Sequence, residues 1–433
     1  MGFVRTAFVG LGLAFLLNQL ASRFYTVLPS PIGGHVDKQF ELVEAAFRKN
    51  FHDGWERDGA SFVVYHKGKK VVDLWGGYAD TASLRKWKED TISVVFSSTK
   101  AVAALCVALL VDRGQLKYDD LVTKHWPEFG KHGKENVTVQ WVMSHMAGLA
   151  YVDEAISEED ALDHKRLARI FEEQKPNWPP GTATGYHAFT YGWLVDQLIR
   201  RVDPQKRGIG QFFREDIAQP NNIDFHIGLP KEEQYRVART TIPSITDSIS
   251  EMMSDYRVFM LLVSVTKVLM LSDSPMSRIM KNPNWLQTFG VNTYNNPDHH
   301  RMEQGANLGI GNARSLAQTF QLVLDGKIIK KETLLQFSKP FINEIDLVMG
   351  LTMAKGQGLV FEPLGRKHAE KTDYFCGHPG YGGQNVNFDL KNNLVLAYVN
   401  NGLKTGMGGL VRTYIRLRDA VYDVIEQDSY NTN

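Results

Sequence analysis

Ser97-Ser98-Thr99-Lys100 opens a run of unbroken apolar residues, Ala101-Val102-Ala103-Ala104-Leu105-Cys106-Val107-Ala108-Leu109-Leu110-Val111, that ends at Asp112-Arg113-Gly114. A helix apolar on every face is buried all round, and Gly114 supplies the left-handed residue that caps it. Three residues apart at the head of that helix, Ser97 and Lys100 fall on one face within reach of each other. Burial disfavours a charged ammonium, so the Lys100 amine can stand neutral and take a proton from a neighbouring hydroxyl. The competing reading is a helix-capping serine followed by a surface lysine. Features elsewhere in the chain separate the two.

The 49 basic and 48 acidic residues leave a formal net charge of +1, too balanced for nucleic acid or a polybasic membrane surface as main partner. A length of 433 residues with 43% hydrophobic content fits one large enzyme domain carrying an internal insertion. Two cysteines, Cys106 and Cys376, exclude a disulfide scaffold. Cys106 sits among alanines and leucines and reads as core; Cys376 reads as packing, because no base is adjacent. Residues 1–22 read as a secretory signal or an uncleaved anchor: one arginine precedes an apolar stretch at 7–17, shorter than the ~20 residues of a comfortable span. Either places the protein in the secretory pathway, outside the cell or attached to a membrane, whereas a mitochondrial leader would carry more arginines. Export would make Asn136-Val137-Thr138 a glycosylation sequon.

Two β-rich runs, 61–65 and 70–75, flank His66-Lys67-Gly68-Lys69 and predict a hairpin. Matching runs recur only near the other end, at 358–361, 374–377, 384–388 and 394–399, before a closing helix at about 410–425. The economical architecture is an α+β fold: one antiparallel sheet built from both ends of the chain, flanked by helices, with a mainly helical insertion at about 117–330. Within it, 138–143 predicts a short helix capped by Thr138, Trp178-Pro179-Pro180-Gly181 a rigid turn that delivers Tyr186, and 190–202 an amphipathic helix. Residues 257–271 predict an apolar core or groove-lining helix. The glycine-rich 305–311 lacks the Lys-Ser/Thr of a phosphate loop, so no nucleotide is implied.

Three separated pieces carry chemistry together. Ser97 with Lys100 is the first. Tyr186-His187-Ala188 is the second, a phenol able to relay a proton if a nearby ammonium lowered its pKa. The third is His378-Pro379-Gly380-Tyr381-Gly382-Gly383, where glycines let backbone amides approach a substrate oxygen. In this order the pieces resemble the serine β-lactamase and penicillin-binding-protein superfamily, in particular its class C-like branch of β-lactamase-related esterases and peptidases, across about 39–426. Ser144-His145-Met146-Ala147-Gly148-Leu149, similar to the family's leucine-leucine-serine-histidine-x-serine-glycine-leucine stretch, adds to the resemblance, as do Pro180-Gly181 and Ala313-Arg314-Ser315-Leu316-Ala317.

The resemblance implies that Ser97 is the acylated nucleophile, Lys100 its base and Tyr186 a second proton relay. It also implies that His378 replaces the lysine that binds the substrate carboxylate, and that the amides of Ser97 and Tyr381, next to Gly380, form the oxyanion hole. Ala188 stands where true β-lactamases carry an asparagine that holds the substrate amide, which shifts the expected substrate from a β-lactam to a small-molecule or peptide ester or amide. If His378 assists carboxylates as an imidazolium, kcat/KM for those substrates falls as pH rises through about 6.5. The rival expectation is a binding or assembly module with little turnover. No cofactor is implied. A metal-dependent hydrolase has only the adjacent pair His299-His300 in its favour.

Overall fold

The computed structural model describes residues 29–270, 273–287, 292–364 and 373–431, so the expected leader at 1–22 lies outside the described residues. In chain order the strands are β1 (Ile32–Val36), β2 (Gly59–His66), β3 (Lys69–Asp80), β4 (Arg85–Lys86), β5 (Ser93–Val94), β6 (Phe225–Ile227), β7 (Gly309–Gly311), β8 (Ile342–Ile345), β9 (Thr352–Gly356), β10 (Leu359–Pro363), β11 (Tyr374–Pro379), β12 (Asn385–Asp389) and β13 (Leu394–Asn400). The helices that bear on the site are α1 (Glu41–His52), α2 (Thr99–Asp112), α3 (Val139–Met143), α4 (Thr190–Val202), α5 (Ile245–Ser254), α6 (Tyr256–Met270), α7 (Ala313–Leu324) and α8 (Arg412–Asn431).

The hairpin of β2 and β3 turns on Lys67 and Gly68, with φ of 51° and 81°; two left-handed residues are what a two-residue turn between twisted strands needs. The far end of the chain then joins it. β13 pairs with β2 from Leu394 opposite His66 to Asn400 opposite Ala60, and the antiparallel sheet runs β1-β3-β2-β13-β12-β11-β10-β9-β8, with β4 on β3. Alternate side chains serve the two faces. Phe62, Val64, Leu394, Leu396 and Tyr398 pack with Val43 and Phe47 of α1 and Tyr414, Leu417 and Val421 of α8. Val63, Val395, Ala397 and Val399 face the other way, into the larger core that holds α2 and α7.

Every residue of α2 from Thr99 to Leu110 is buried, and Gly114 follows with φ of 70°. That burial is what carries a lysine inside. Val102, Leu105, Val107 and Leu110 are fully enclosed and stabilise the helix by about 1.5–3 kcal/mol each. Together they outweigh the several kcal/mol of keeping one amine from water.

Some elements differ from expectation. β1, β8 and β9 are strands that the residue pattern does not announce: β1 is Ile-Gly-Gly-His-Val, and β8 is an edge strand with three of its four residues exposed. A strand with so little of either face buried gives neither the continuous apolar run of two-sided burial nor the alternation of one-sided burial. Inside the mainly helical insertion β6 and β7 also form a small sheet with β5. Helix α6 lines a groove as expected but is not core: Val258 is buried, while Phe259, Met260 and Val263 are exposed. Among the described residues no helix is long and apolar enough to cross a membrane.

Candidate active site

Between β5 and α2 the chain makes one tight turn, Phe96–Ser98. Phe96 has φ of 46°, a conformation that is unfavourable for a bulky L-residue and persists only where surroundings impose it. Its ring is wedged against Tyr294 at 4.6 Å and Tyr381 at 5.5 Å between centroids. The hydroxyls that follow lock the turn. Ser98 Oγ donates to the His378 carbonyl at 3.0 Å, and Thr99 Oγ1 donates to the Phe96 carbonyl at 2.5 Å while accepting the Gly309 amide at 2.9 Å. From Thr91 to Leu110 every residue is buried except Ser97. The fold thus holds one serine of this segment up to the surface of a pocket.

Lys100 is fully buried with no carboxylate beside it. Its Nζ donates to the carbonyls of Ala188 at 2.9 Å and Ala306 at 3.0 Å and lies 3.4 Å from Ser97 Oγ. Burial pushes the pKa of the amine well below its ordinary value. A neutral amine has two hydrogens and one lone pair. Two carbonyls take the hydrogens, and the lone pair is left for the serine hydroxyl. The glycine-rich 305–311 makes this possible by close approach: a Cβ on Gly309 would lie 2.5 Å from Thr99 Oγ1.

Tyr186 completes the group. Its Oη donates to Ser97 Oγ at 2.8 Å, and the Lys100 amine sits 4.8 Å from its ring centroid. The condition of a lowered phenol pKa is not met, because burial raises it and nothing charged compensates. Tyr186 is a phenol in the resting site, and so a hydrogen-bond donor.

What aims Tyr186 was not visible as a motif. The buried Asp346 accepts the amides of Tyr186 at 3.0 Å, Val348 at 2.9 Å and Met349 at 2.8 Å through Oδ1, and its Oδ2 accepts from the buried Lys355 ammonium. Two histidines close the other side. His187 donates from Nδ1 to the Gly185 carbonyl at 2.6 Å and accepts the Leu149 amide at Nε2 at 3.1 Å, a pairing open only to the neutral ring. His145 accepts the His187 amide at Nδ1 at 3.1 Å and lies 5.1 Å from the Tyr186 ring. Both residues stand in quoted motifs, yet only the fold shows them supporting the tyrosine.

His378, at the end of β11, is also neutral, which corrects the expected imidazolium. It is 3% exposed, and burial, with Lys100 nearby, pulls its pKa down to about 3. Nδ1 donates to the Pro379 carbonyl at 2.7 Å, leaving Nε2 as a buried acceptor with no protein partner. Gly380 follows because nothing larger fits: a Cβ there would stand 2.5 Å from the Val95 carbonyl oxygen. Tyr381 then begins the turn Tyr381–Gly383 beside Phe96. Ser97, Lys100, Tyr186, His378, Gly380 and Tyr381 are therefore brought together, and the methyl of Ala188 lines the same pocket.

These histidines give the fold an acid sensitivity. Burial lowers His187 to about 4 and His378 to about 3, and His145 moves the same way. Between those values and the unfolded value of about 6.5 only the unfolded chain takes up protons, so stability is full above that value and is lost as pH falls. The His187 shift alone corresponds to about 3 kcal/mol. The expected melting temperature falls as soon as pH drops from 7 towards 6, above the range in which carboxylates titrate. A melting temperature constant from pH 7 to 5 would contradict the neutral assignment.

Cys106 and Cys376 are buried thiols whose pKa burial pushes up. Among the described residues no three His, Cys, Asp or Glu side chains gather as metal ligands.

The sequence model of the Beta-lactamase family matches residues 47–420. Esterase/beta-lactamase LipL of Mycobacterium tuberculosis (strain ATCC 25618 / H37Rv) is 38% identical over 215 residues, 48% of either chain. The chain spans at most about half the length of the curated relatives it matches. Among solved structures, a family VIII carboxylesterase superposes with a TM-score of 0.77 at 29% identity, covering 91% of this chain and 100% of the other. A penicillin-binding protein homolog from Caulobacter crescentus gives 0.76 at 30% identity with the same coverage. A match that runs from α1 to α8, over a turn that sets Ser97 against Lys100 and Tyr186, has one consequence: the chain belongs to the beta-lactamase family.

Proposed function

We propose that this protein is a serine hydrolase that cleaves an ester or amide through an acyl-enzyme on Ser97. One observation carries the reading: Ser97 Oγ receives the Tyr186 phenol hydrogen at 2.8 Å and faces, at 3.4 Å, a Lys100 amine whose hydrogens are committed to two carbonyls. Ser97 attacks the substrate carbonyl as its proton passes to Lys100. Tyr186, a phenol throughout the resting state, hands its hydrogen to the leaving group and is reprotonated from Lys100. Deacylation runs the same relay with water. The backbone amides of Ser97 and Tyr381 hold the developing oxyanion.

The substrate class follows from what the pocket lacks. A neutral His378 offers no charge to a carboxylate, and Ala188 offers no amide hydrogen bond, so an ester is favoured over a β-lactam. An esterase/beta-lactamase among the relatives and a carboxylesterase among the structural neighbours support the same choice. Residues 1–22, with their apolar stretch at 7–17, direct export or anchor the chain. Comparing the N-terminal sequence of the secreted or membrane-bound protein with the gene product tests that.

Intact-mass analysis after fluorophosphonate treatment tests the hydrolase. One adduct per chain on Ser97, absent in Ser97→Ala, is expected; a folded protein that takes no adduct would refute it. A separate expectation concerns His378. For a carboxylate ester and its uncharged counterpart, the ratio of kcat/KM stays constant from pH 5 to 8, because the imidazole titrates near 3. A ratio that drops through about 6.5 would restore the cationic role.

A further inference from the structure

Ser97, Tyr186, which donates to it, and His378, whose ring lies 6.0 Å from that of Tyr186, form one patch in the wall of a cavity of about 450 Å³. The wall beyond them is of another kind. Leu261, Leu262 and Val265 come from α6, and Met276, Met280 and Leu286 from the segment after it. Among the described residues the one formally charged lining residue, Lys404, is already engaged: Nζ donates to Glu56 Oε1 at 2.6 Å and to the Gly402 carbonyl at 2.7 Å.

Helix α6 explains itself only through this cavity. A helix so rich in Leu, Val, Met and Phe is ordinarily enclosed, yet α6 keeps Val258 as a buried residue and turns Leu261, Leu262 and Val265 towards the cavity. The wall is held in place beforehand. Glu251 of α5, buried, accepts the amides of Thr405 at 2.9 Å and Gly406 at 3.0 Å, and Thr405 and Met407 line the cavity from that same loop. A wall already ordered costs little to occupy. Methionines lend it an adaptable surface, suited to a flexible ligand without fixed shape. The volume falls in the range of small-molecule sites, roughly 300–1,000 Å³.

We infer that this cavity binds a single uncharged alkyl chain carried by the ester or amide that Ser97 attacks, so that the substrate is a medium- to long-chain ester rather than a compact or anionic one. The inference rests on Ser97 being the nucleophile. Hydrogen-bond donors on the polar half of such a substrate have two acceptors to meet: His378 Nε2 and Asn307 Oδ1 are buried, without protein partners, on residues that line the cavity.

The test is a chain-length series on the full chain: p-nitrophenyl esters from acetate to dodecanoate below their micellar concentrations, and acetates of alcohols lengthened in parallel. Apolar burial predicts kcat/KM rising about three- to fourfold per added methylene until the cavity is filled. A rise confined to the acyl series assigns the chain to the acyl group, and one confined to the alcohol series assigns it to the leaving group. Met280→Trp, and independently Val265→Phe, should lower the ratio of long-chain to acetate kcat/KM by about tenfold or more. If the shortest member is the best substrate of both series while Ser97 still takes the fluorophosphonate, the chain site is wrong and the hydrolase reading stands. If neither ester hydrolysis nor an adduct is found, the hydrolase reading falls, and the inference with it.

Discussion

Lys100→Met is expected to slow acylation of Ser97 by about 10³-fold, within the range that a positioned general base contributes, and to leave the protein folded. The fold survives because Lys100 stands neutral in the native state: its pKa is driven well down by burial alone, without a carboxylate that would be orphaned by its removal. Methionine, unbranched and of similar length, fills the same buried space beside α2, and what is lost are donors to the Ala188 and Ala306 carbonyls. Leaving those acceptors unmet costs about 1–3 kcal/mol each at most. Stopped-flow acylation with an activated ester, beside a thermal melt, measures both halves. The accompanying pH profile follows from the same cause. Only the neutral amine accepts the serine proton, so the wild-type rate rises with pH through the depressed Lys100 pKa and levels off at higher pH. Wild-type acylation rates in Lys100→Met would remove the lysine from the mechanism.

Asp346→Ala should cost about 3–5 kcal/mol of unfolding free energy in chemical denaturation, because it leaves the Lys355 ammonium buried without its partner. Lys355 and Asp346 are about as enclosed as any residues of the chain, at 0% exposure each. The same substitution removes the acceptor of the Tyr186 amide, so kcat should fall as well, by about tenfold or more. A double variant separates the two effects. Asp346→Leu with Lys355→Met removes both charges and should recover most of the stability, yet Tyr186 still lacks its anchor and kcat stays low. Recovery of kcat along with stability would show that the pair serves only the fold.

The local features read correctly are those whose cause is local. An all-apolar run must be enclosed, a glycine with its left-handed φ ends it at Gly114, Lys67-Gly68 closes a hairpin, and Thr138 caps α3 by accepting the Trp141 amide. Ser97 and Lys100 needed no more than helical spacing to be paired. The strands of the far block were legible from their β-rich runs between turn residues, and with them the joining of both chain ends into one sheet.

Other features have causes remote in the chain. Three of them concern charge. Whether Tyr186 and His378 are ionised depends on how far other segments exclude water from them, and both came out opposite to the simplest expectation. Asp346 and Lys355 carry no motif, and their roles exist only because β9 and the loop after β8 bring them together behind Tyr186. The edge strands β1 and β8 were missed because strands with little buried surface carry no apolar pattern, and β9 is paired on both sides but has an exposed start. Helix α6 reads as apolar from its residues, but only the packing around it decides that this apolar surface faces a cavity beside Ser97. The sequence thus determined which candidate residues stand together and the sheet that presents them, through spacing and residue pattern; tertiary structure alone decided their protonation and the space around them, because desolvation is set by neighbours that no local pattern records.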